Sequence, residues 1–462
     1  MAIALTGVRP TQFAWLLGAS IALSGCATTP PQETPQADLP VAEQWAAASS
    51  TAGDVEPGWL ARFSDAELEA LVKEALVHNY DLQIAAAQLD AASAAARKAA
   101  SAYTPSVDLA ASAGRSGNTD SGASAQSTLG VSLDVAWEVD VWGRVRAGAS
   151  AAESQSRAAA LDLQSARHSL AAQVAKAWLA AIEANLQRTL AADSVDDLAE
   201  TLRIVEVRFR EGQVSRQDVH LATTDPAQAK EQREAASKAA QEAARAIELL
   251  LGRYPRAERA VRDELPALTS LPAAGLPSQL LERRPDLRAA EARIAAAFSL
   301  SEQARAARLP RLNLTSSLGT TSDALRNLAD PVNTFWQLGI NLLQPLIDGG
   351  RLRADVDIAD ARQREAVAAY AKQAQGAFAE VERTLTAAGS LQRRVEHLRA
   401  AEQAASEAHR LMALRYQAGE SDLLNVLEAH RRWLDARKGV VRVALQQHLE
   451  RVYLLLALGG EY

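Results

Sequence analysis

"TLGVSLDVAWEVDVW" occupies residues 128–142. Leu129, Val131, Leu133, Val135, Trp137, Val139 and Val141 fall on one face of an extended chain. Ser132, Asp134, Glu138 and Asp140 fall on the other. Successive side chains of a strand point to opposite sides, so this alternation predicts a strand with one apolar and one polar face. At about 14 residues it exceeds the roughly 9–11 that a tilted strand needs to cross a bilayer. An isolated half-buried strand of a soluble sheet carries the same pattern, so context has to decide.

The context is a duplication. "NYDLQIAAAQLDAASAAARKAASAYTPSVDL" from Asn79 is echoed by "RPDLRAAEARIAAAFSLSEQARAARLPRLNL" from Arg284, with Asp81 matching Asp286 and Pro105 matching Pro310. "VWGRVRAG" from Val141 returns as "DGGRLRAD" from Asp348, and "VRFREGQVSRQDV" from Val207 as "LRYQAGESDLLNV" from Leu414. Order and spacing hold throughout, so the chain is two copies of one unit of about 175 residues. The expected division is 59–252, a linker at 253–283, and 284–462.

Each unit has one internal plan. A helix (Asp81–Ala102, Asp286–Leu309) stops at Pro105 or Pro310, because proline lacks the donor and disfavours α geometry before it. Two strands follow, at about 105–142 in the first unit and 310–348 in the second. Proline-free helices then run from Arg144 to about Arg210 and from Arg351 to about Tyr416. About 66 residues at 1.5 Å each reach roughly 100 Å, deeper than any ordinary domain core. Glycine turns at Gly212 and Gly419 end them, and shorter helices return over Gln217–Leu251 and Leu423–Leu458. One long helix is matched in length by two short ones stacked end to end, which predicts a tall helical wall. Pro226 falls inside one returning helix and should bend it. Four strands cannot close a barrel, and an open edge cannot sit in lipid. Two chains would give eight strands and three would give twelve; the sequence does not choose.

The N-terminus carries its own signal. Arg9 precedes the uncharged run from Phe13 to Leu23, too short to span a bilayer, and residues 1–25 read as a secretory signal. Cys26 is the single cysteine. The preceding Leu23-Ser24-Gly25 makes the site resemble the bacterial lipobox, which implies a covalent lipid on Cys26 and cleavage before it. Ala27, rather than Asp, points to the outer membrane. An ordinary signal with an incidental cysteine is the alternative. Residues 26–58, rich in Pro, Thr, Gln and Ala, read as an extended leader lying against the body.

Composition excludes several classes. With 49 basic and 56 acidic residues, net charge −7, there is no electrostatic case for nucleic acid. His78, His168, His220, His397, His409, His430 and His448 make no metalloprotease motif and are expected on solvated helix faces. There is no phosphate-binding GxxxxGK[ST] loop. No catalytic residue, metal or cofactor beyond the lipid is expected.

The duplicated helix–strand–strand–helix order, the "YTPSVDL" and "RLPRLNL" strand entries, the "DGGRLR" step and the "RYQAGESDLLNVLEAHR" turn together resemble the outer-membrane efflux channel family typified by TolC. The lipobox and "GWLARFSDAELEALVKEAL" resemble its NodT-like and OprM-like lipoprotein branch. The resemblance runs from about Trp59 to Leu458. It implies a mainly α protein with a membrane β-barrel: a homotrimer with twelve strands in the outer membrane and a twelve-helix α-barrel across the periplasm. A belt around the tunnel would include the segments near Asp65–His78 and Tyr254–Leu281. It also implies a passive conduit for small molecules, served by a periplasmic membrane-fusion adaptor and an inner-membrane pump, expected to be proton-driven. A poreless periplasmic coiled-coil adaptor or scaffold lipoprotein is the rival reading; it leaves the strands unexplained.

Three groups of site residues follow from the resemblance. Asp108, Asp134, Glu138 and Asp140 would line the lumen, unless they pair with Arg115 or Arg144 at its rims. Arg208, Gly212, Val214 and Ser215, with Arg415, Gly419, Glu420 and Ser421, would form the periplasmic tip that meets the adaptor; a solvated hairpin or side-on docking are the alternatives. Asn425 and Glu428, one helical turn apart, would ring the gate, steadied by a Tyr416–Asp218 link. Ser421 stands where the family's arginine link falls. Glu428 pointing outward into solvent is the alternative.

Overall fold

The two halves of the chain meet in one antiparallel sheet. The structure is a computed structural model that describes residues 39, 41–47, 55, 58–117 and 125–460. Cys26 and the signal segment lie outside the described residues, as does most of the leader. In chain order the elements are α1 (Ala66–His78), α2 (Tyr80–Ala100), β1 (Ser106–Ser116), β2 (Gln126–Val139), α3 (Arg144–Arg210), α4 (Arg216–Leu250), α5 (Pro277–Arg283), α6 (Pro285–Ala306), β3 (Arg311–Ser322), β4 (Thr334–Leu343), α7 (Arg351–Gln417) and α8 (Leu423–Ala457). Short 3-10 turns lie between some of them.

Strand order is β1-β2-β3-β4, so the repeats join through the β2–β3 ladder. Leu133 faces Leu109 on one side and Leu318 on the other, and Leu318 faces Trp336. The alternating apolar residues of all four strands therefore share one face. That face is open: Trp336 is 79% exposed and Leu109 76%. The opposite face is small and polar, with Ser112, Gly130, Asp134, Ser317, Gly319 and Asn341 at matching registers. β1 and β4 are the two edges, with no further strand beyond them among the described residues.

Two strands are shorter than the alternation predicts. β2 stops at Val139 because Asp140 turns out of the ladder; its carboxylate accepts from the backbone N–H groups of Val145 (2.9 Å) and Arg146 (2.8 Å), the first turn of α3. An anion there complements the helix dipole. β4 stops at Leu343, two residues before Pro345, which has no N–H to give a ladder. Trp142 Nε1 donates to the Pro310 carbonyl (2.8 Å), so the exit of β2 is tied to the entry of β3.

The helices form a layer beside the sheet. α3 and α7 are each 67 residues long, roughly 100 Å at 1.5 Å per residue. Near the sheet α3 packs against α2 and α6, and α7 against α6; toward the far turns α3 packs against α4 and α8, and α7 against α8. Short helices stacked along long ones are thus what the sequence predicts. Alanines at 158, 171, 172, 175 and 181 are buried on α3, and such small side chains let helix axes approach. Pro226 lies buried within α4, and the helix continues through it. No helix among the described residues is long and apolar enough to cross a membrane.

The main core sits where the repeats overlap at mid-height. Trp59, Phe63, Leu68 and Leu71 pack with Trp178, Leu179 and Ile182 of α3 and with Val452 and Leu455 of α8. Asp65 fixes this junction. It is 3% exposed, caps α1 by accepting from Glu67 and Leu68 N–H, and accepts from Trp178 Nε1 (2.9 Å) and Arg262 (3.1 Å). Residues 253–276 carry no helix or strand and are strapped to α1 by Arg253–Glu74, Arg259–Glu67 and Arg262–Asp65. A second core holds the described part of the leader, where Trp45 Nε1 donates to the Gly275 carbonyl (3.0 Å) and Ala46 N–H to Glu382 (2.7 Å).

Asp65→Ala removes one buried acceptor from four donors. It is expected to destabilise the junction by about 2–4 kcal/mol. Amide exchange of residues 66–78 should accelerate accordingly, while exchange in β2 and β3 stays as in the parent.

Candidate functional site

The polar face of the sheet is the first candidate. Asp108 and Asp134 are direct cross-strand partners, and Asp134 accepts from Ser132 (3.0 Å) and Ser317. The other two carboxylates are committed elsewhere. Glu138 forms a two-point ion pair with Arg144, Nε–Oε1 2.8 Å. Asp140 caps α3 and pairs with Arg146, having left the strand. The expected acidic face therefore reduces to Asp108 and Asp134, because the first turn of α3 captures the charges at the end of β2. Arg144 is the partner of Glu138; Arg115 makes no such pair among the described residues.

The hairpin turns are the second candidate. Both are closed by the same two bonds: Gly212 N–H to Phe209 O and Gln213 N–H to Arg208 O, and Gly419 N–H to Tyr416 O and Glu420 N–H to Arg415 O. The glycines have φ of +75° and +80°, left-handed values that favour glycine. Gly212, Ser215, Arg415, Gly419 and Glu420 are exposed. Val214 is turned inward, against the cluster of Val205, Ala222, Tyr416, Leu423 and Val426 that holds the hairpins together. Ser421 is half-buried and approaches the Met412 sulfur at 3.8 Å.

The expected Tyr416–Asp218 link is not made. Asp218 is taken by a reciprocal capping box with Ser215, which satisfies backbone donors at the start of α4. The Tyr416 hydroxyl is buried and makes no hydrogen bond among the described residues. The side chain is held by Arg208 instead, which lies over its ring at 4.6 Å and donates to its carbonyl oxygen at 2.8 Å. Arg208 is thereby a link between hairpins rather than a free surface cation. Asn425 is exposed, but Glu428 is paired with both Arg431 and Arg432 of its own helix. The two arginines balance the charge expected to ring a gate.

The histidines divide. His78, His220 and His397 are exposed as expected. His168, His430 and His448 are buried and His409 half-buried, against expectation. His448 bridges the Ala444 carbonyl and the Pro266 carbonyl (both 2.7 Å), fastening the linker to α8. His409 and His430 meet Asp197, with one ligand atom of each residue within 4.8 Å of the others. Trp433 stacks on His409 at 5.2 Å, and Ser194 lies 3.1 Å from His430 Nε2. Burial, together with the His409 and Lys438 charges, pushes His430 down to about 4; burial also lowers His409 and raises Asp197. The signal was present in the sequence. His409 precedes Gly419 by ten residues and His430 follows Glu420 by ten, so a hairpin turning there sets them side by side.

A duplicated sheet-and-hairpin architecture with these features has close relatives. The outer membrane efflux protein family matches residues 71–253 and 276–460. The chain belongs to that family. The pyoverdine export outer membrane protein OpmQ of Pseudomonas aeruginosa is 32% identical over 461 residues, covering 96% of each chain. Outer membrane protein OprJ of the same organism is 33% identical, covering 96% of this chain and 94% of its own. The solved outer-membrane channel OprN superposes with a TM-score of 0.86 at 30% identity, over 94% of this chain and 99% of that one. This efflux protein is thus the outer-membrane component of an efflux system, reaching from the outer membrane into the periplasm, and a poreless adaptor is the wrong class. Its relatives are channels, not enzymes.

Two substitutions separate the roles at the turns. Arg208→Ala should cost about 1–2 kcal/mol of local stability, seen as faster proteolysis at the two turns. Tyr416→Phe should leave proteolysis unchanged or slow it, since the hydroxyl it removes has no partner. Faster cleavage in Tyr416→Phe would restore the link to Asp218.

Proposed function

We propose that three copies of this chain close their sheets into one twelve-stranded barrel, continued by a twelve-helix tunnel, through which small molecules leave the cell. The sheet with two unpaired edges and an uncovered apolar face supports this most directly. Lipid offers no partner to backbone N–H and C=O groups, so those edges must pair with other strands. β4 runs opposite to β1, so β1 of a neighbouring copy continues the antiparallel alternation at β4. Two copies would give eight strands, a ring whose interior side chains just fill. Three copies are the smallest set that leaves a passage. The small polar inner face, with Gly130 and Gly319, suits an open lumen. Across the tip half each copy supplies α4, α3, α8 and α7 in order, which gives twelve helices in three copies.

In this reading Cys26 carries a covalent lipid that anchors the leader at the outer membrane. The exposed turn residues, Gly212, Ser215, Arg415, Gly419 and Glu420, present the tunnel mouth to a periplasmic adaptor, which couples it to an inner-membrane pump. Asp108 and Asp134, repeated in three copies, make a ring of six carboxylates in the lumen that favours cations. Asn425 lies on the exposed side of the hairpin and narrows the mouth. Glu428, paired within its helix, sets charge there only when its arginines are removed.

Planar-bilayer recording tests the reading. Purified protein should form cation-preferring pores, and Asp134→Asn should lower the cation preference without closing them. Absence of conductance, or a native mass below three chains, would overturn the trimeric channel. Equal cation preference in Asp134→Asn would remove the aspartate ring while leaving the pore.

A further inference from the structure

Two imidazoles and a carboxylate from three different helices converge on one point between the hairpins. Asp197 comes from α3, His409 from α7 and His430 from α8. Ten residues from each turn is about 15 Å along the helices. The local structure holds both rings still. Trp433 lies flat against His409, with an interplanar angle of 10°, and edge-on to His430. Ser194, 3% exposed, fixes His430 through its Nε2 atom.

The arrangement is incomplete as a hydrogen-bonded core. His409 Nδ1 is buried and has no hydrogen-bond partner among the described residues. The Asp197 side chain is exposed and makes no hydrogen bond or ion pair among the described residues. Buried polar atoms in folded proteins are nearly always satisfied, so an orphaned nitrogen on an imidazole grouped with a second imidazole and a carboxylate is out of the ordinary. A positive charge of two placed among them would satisfy all three.

We propose that Asp197, His409 and His430 bind one divalent transition-metal ion, which ties the two hairpins of a chain together. Two nitrogens and one carboxylate oxygen are the donors that zinc(II) takes in three-ligand sites, with a fourth position left for water. Magnesium and calcium prefer all-oxygen sets and fit poorly. Ligands at about 2.0–2.1 Å from zinc stand about 3.4 Å apart in a tetrahedron. The present ligand atoms lie within 4.8 Å of one another, so binding draws them inward by about 1 Å. The ion is a resident clip and is independent of what the channel exports.

The probe is cobalt(II), which reports tetrahedral nitrogen and oxygen ligation through visible absorption, added to tag-free, metal-stripped full-length protein in detergent. One cobalt per chain should bind, zinc should displace it, and magnesium should not. His409→Gln with His430→Gln should weaken binding by more than about 10-fold, and Asp197→Ala, an exposed change that leaves the helices packed, should weaken it and alter the spectrum. The exposed His78→Gln and His220→Gln variants should bind as the parent does. Failure of the parent protein to bind cobalt or zinc overturns the site whatever the variants do. Unchanged affinity and spectrum in Asp197→Ala overturns the three-ligand assignment even if the double variant does not fold.

Discussion

An unpaired backbone group cannot remain in hydrocarbon, and most of this structure follows from that constraint. A hydrogen bond left unmade there costs several kcal/mol, so a strand crossing lipid must be flanked on both sides. The chain supplies β2 and β3 with neighbours of their own and leaves β1 and β4 each with one. Contacts at the helical end of the sheet fix where the strands begin and stop. Trp142 bonds to Pro310, Asp140 bends the chain out of β2 at a fixed residue, and Pro345 follows closely on the end of β4. The helical layer packs side by side in the same way, with α4 and α7 as its outer members across the tip half.

Legibility in the sequence followed the range of the interaction. Period-two alternation is a local property, and it read correctly through β2 as far as Val139. Prolines 105 and 310 and the glycines at 212 and 419 act on their own backbone, and the element boundaries fell within a few residues of them. Asp140 was misplaced because its alternation with Glu138 fitted a strand while its carboxylate had a stronger use at the start of a helix. Asp218 was misplaced for a similar reason, since a neighbouring serine three residues away competes for it better than a tyrosine on another hairpin. His409 and His430 were read as solvated because each, alone, sits among polar neighbours in sequence. Only the mirror relation of their distances from the turn betrays them, and only together with Asp197 on a third helix do they make a group.

The tip illustrates how electrostatics and packing divide the labour. The small apolar cluster around Val205 and Leu423 packs the hairpins together, and Arg208 adds a polar tie through its two contacts with Tyr416. Charges near the cluster are mostly resolved within one helix, as in Arg431 and Arg432 around Glu428. Such local pairing lets the outer surface vary without disturbing the joint between hairpins.

The equal lengths of the helices carry an evolutionary consequence. α3 and α7 are 67 residues each, and α4 and α8 are 35 each. Deleting one residue from the middle of α3 would turn everything beyond it by about 100° and draw it up by about 1.5 Å. Val205 would then leave the face it shares with its neighbours, and the two turns would no longer lie level. Descent in this lineage therefore has to keep a strict tally of residues in the helices and confine insertions and deletions to segments outside them, such as the linker at 253–276. The molecule is a measuring rod copied twice, and neither copy can be recalibrated without the other.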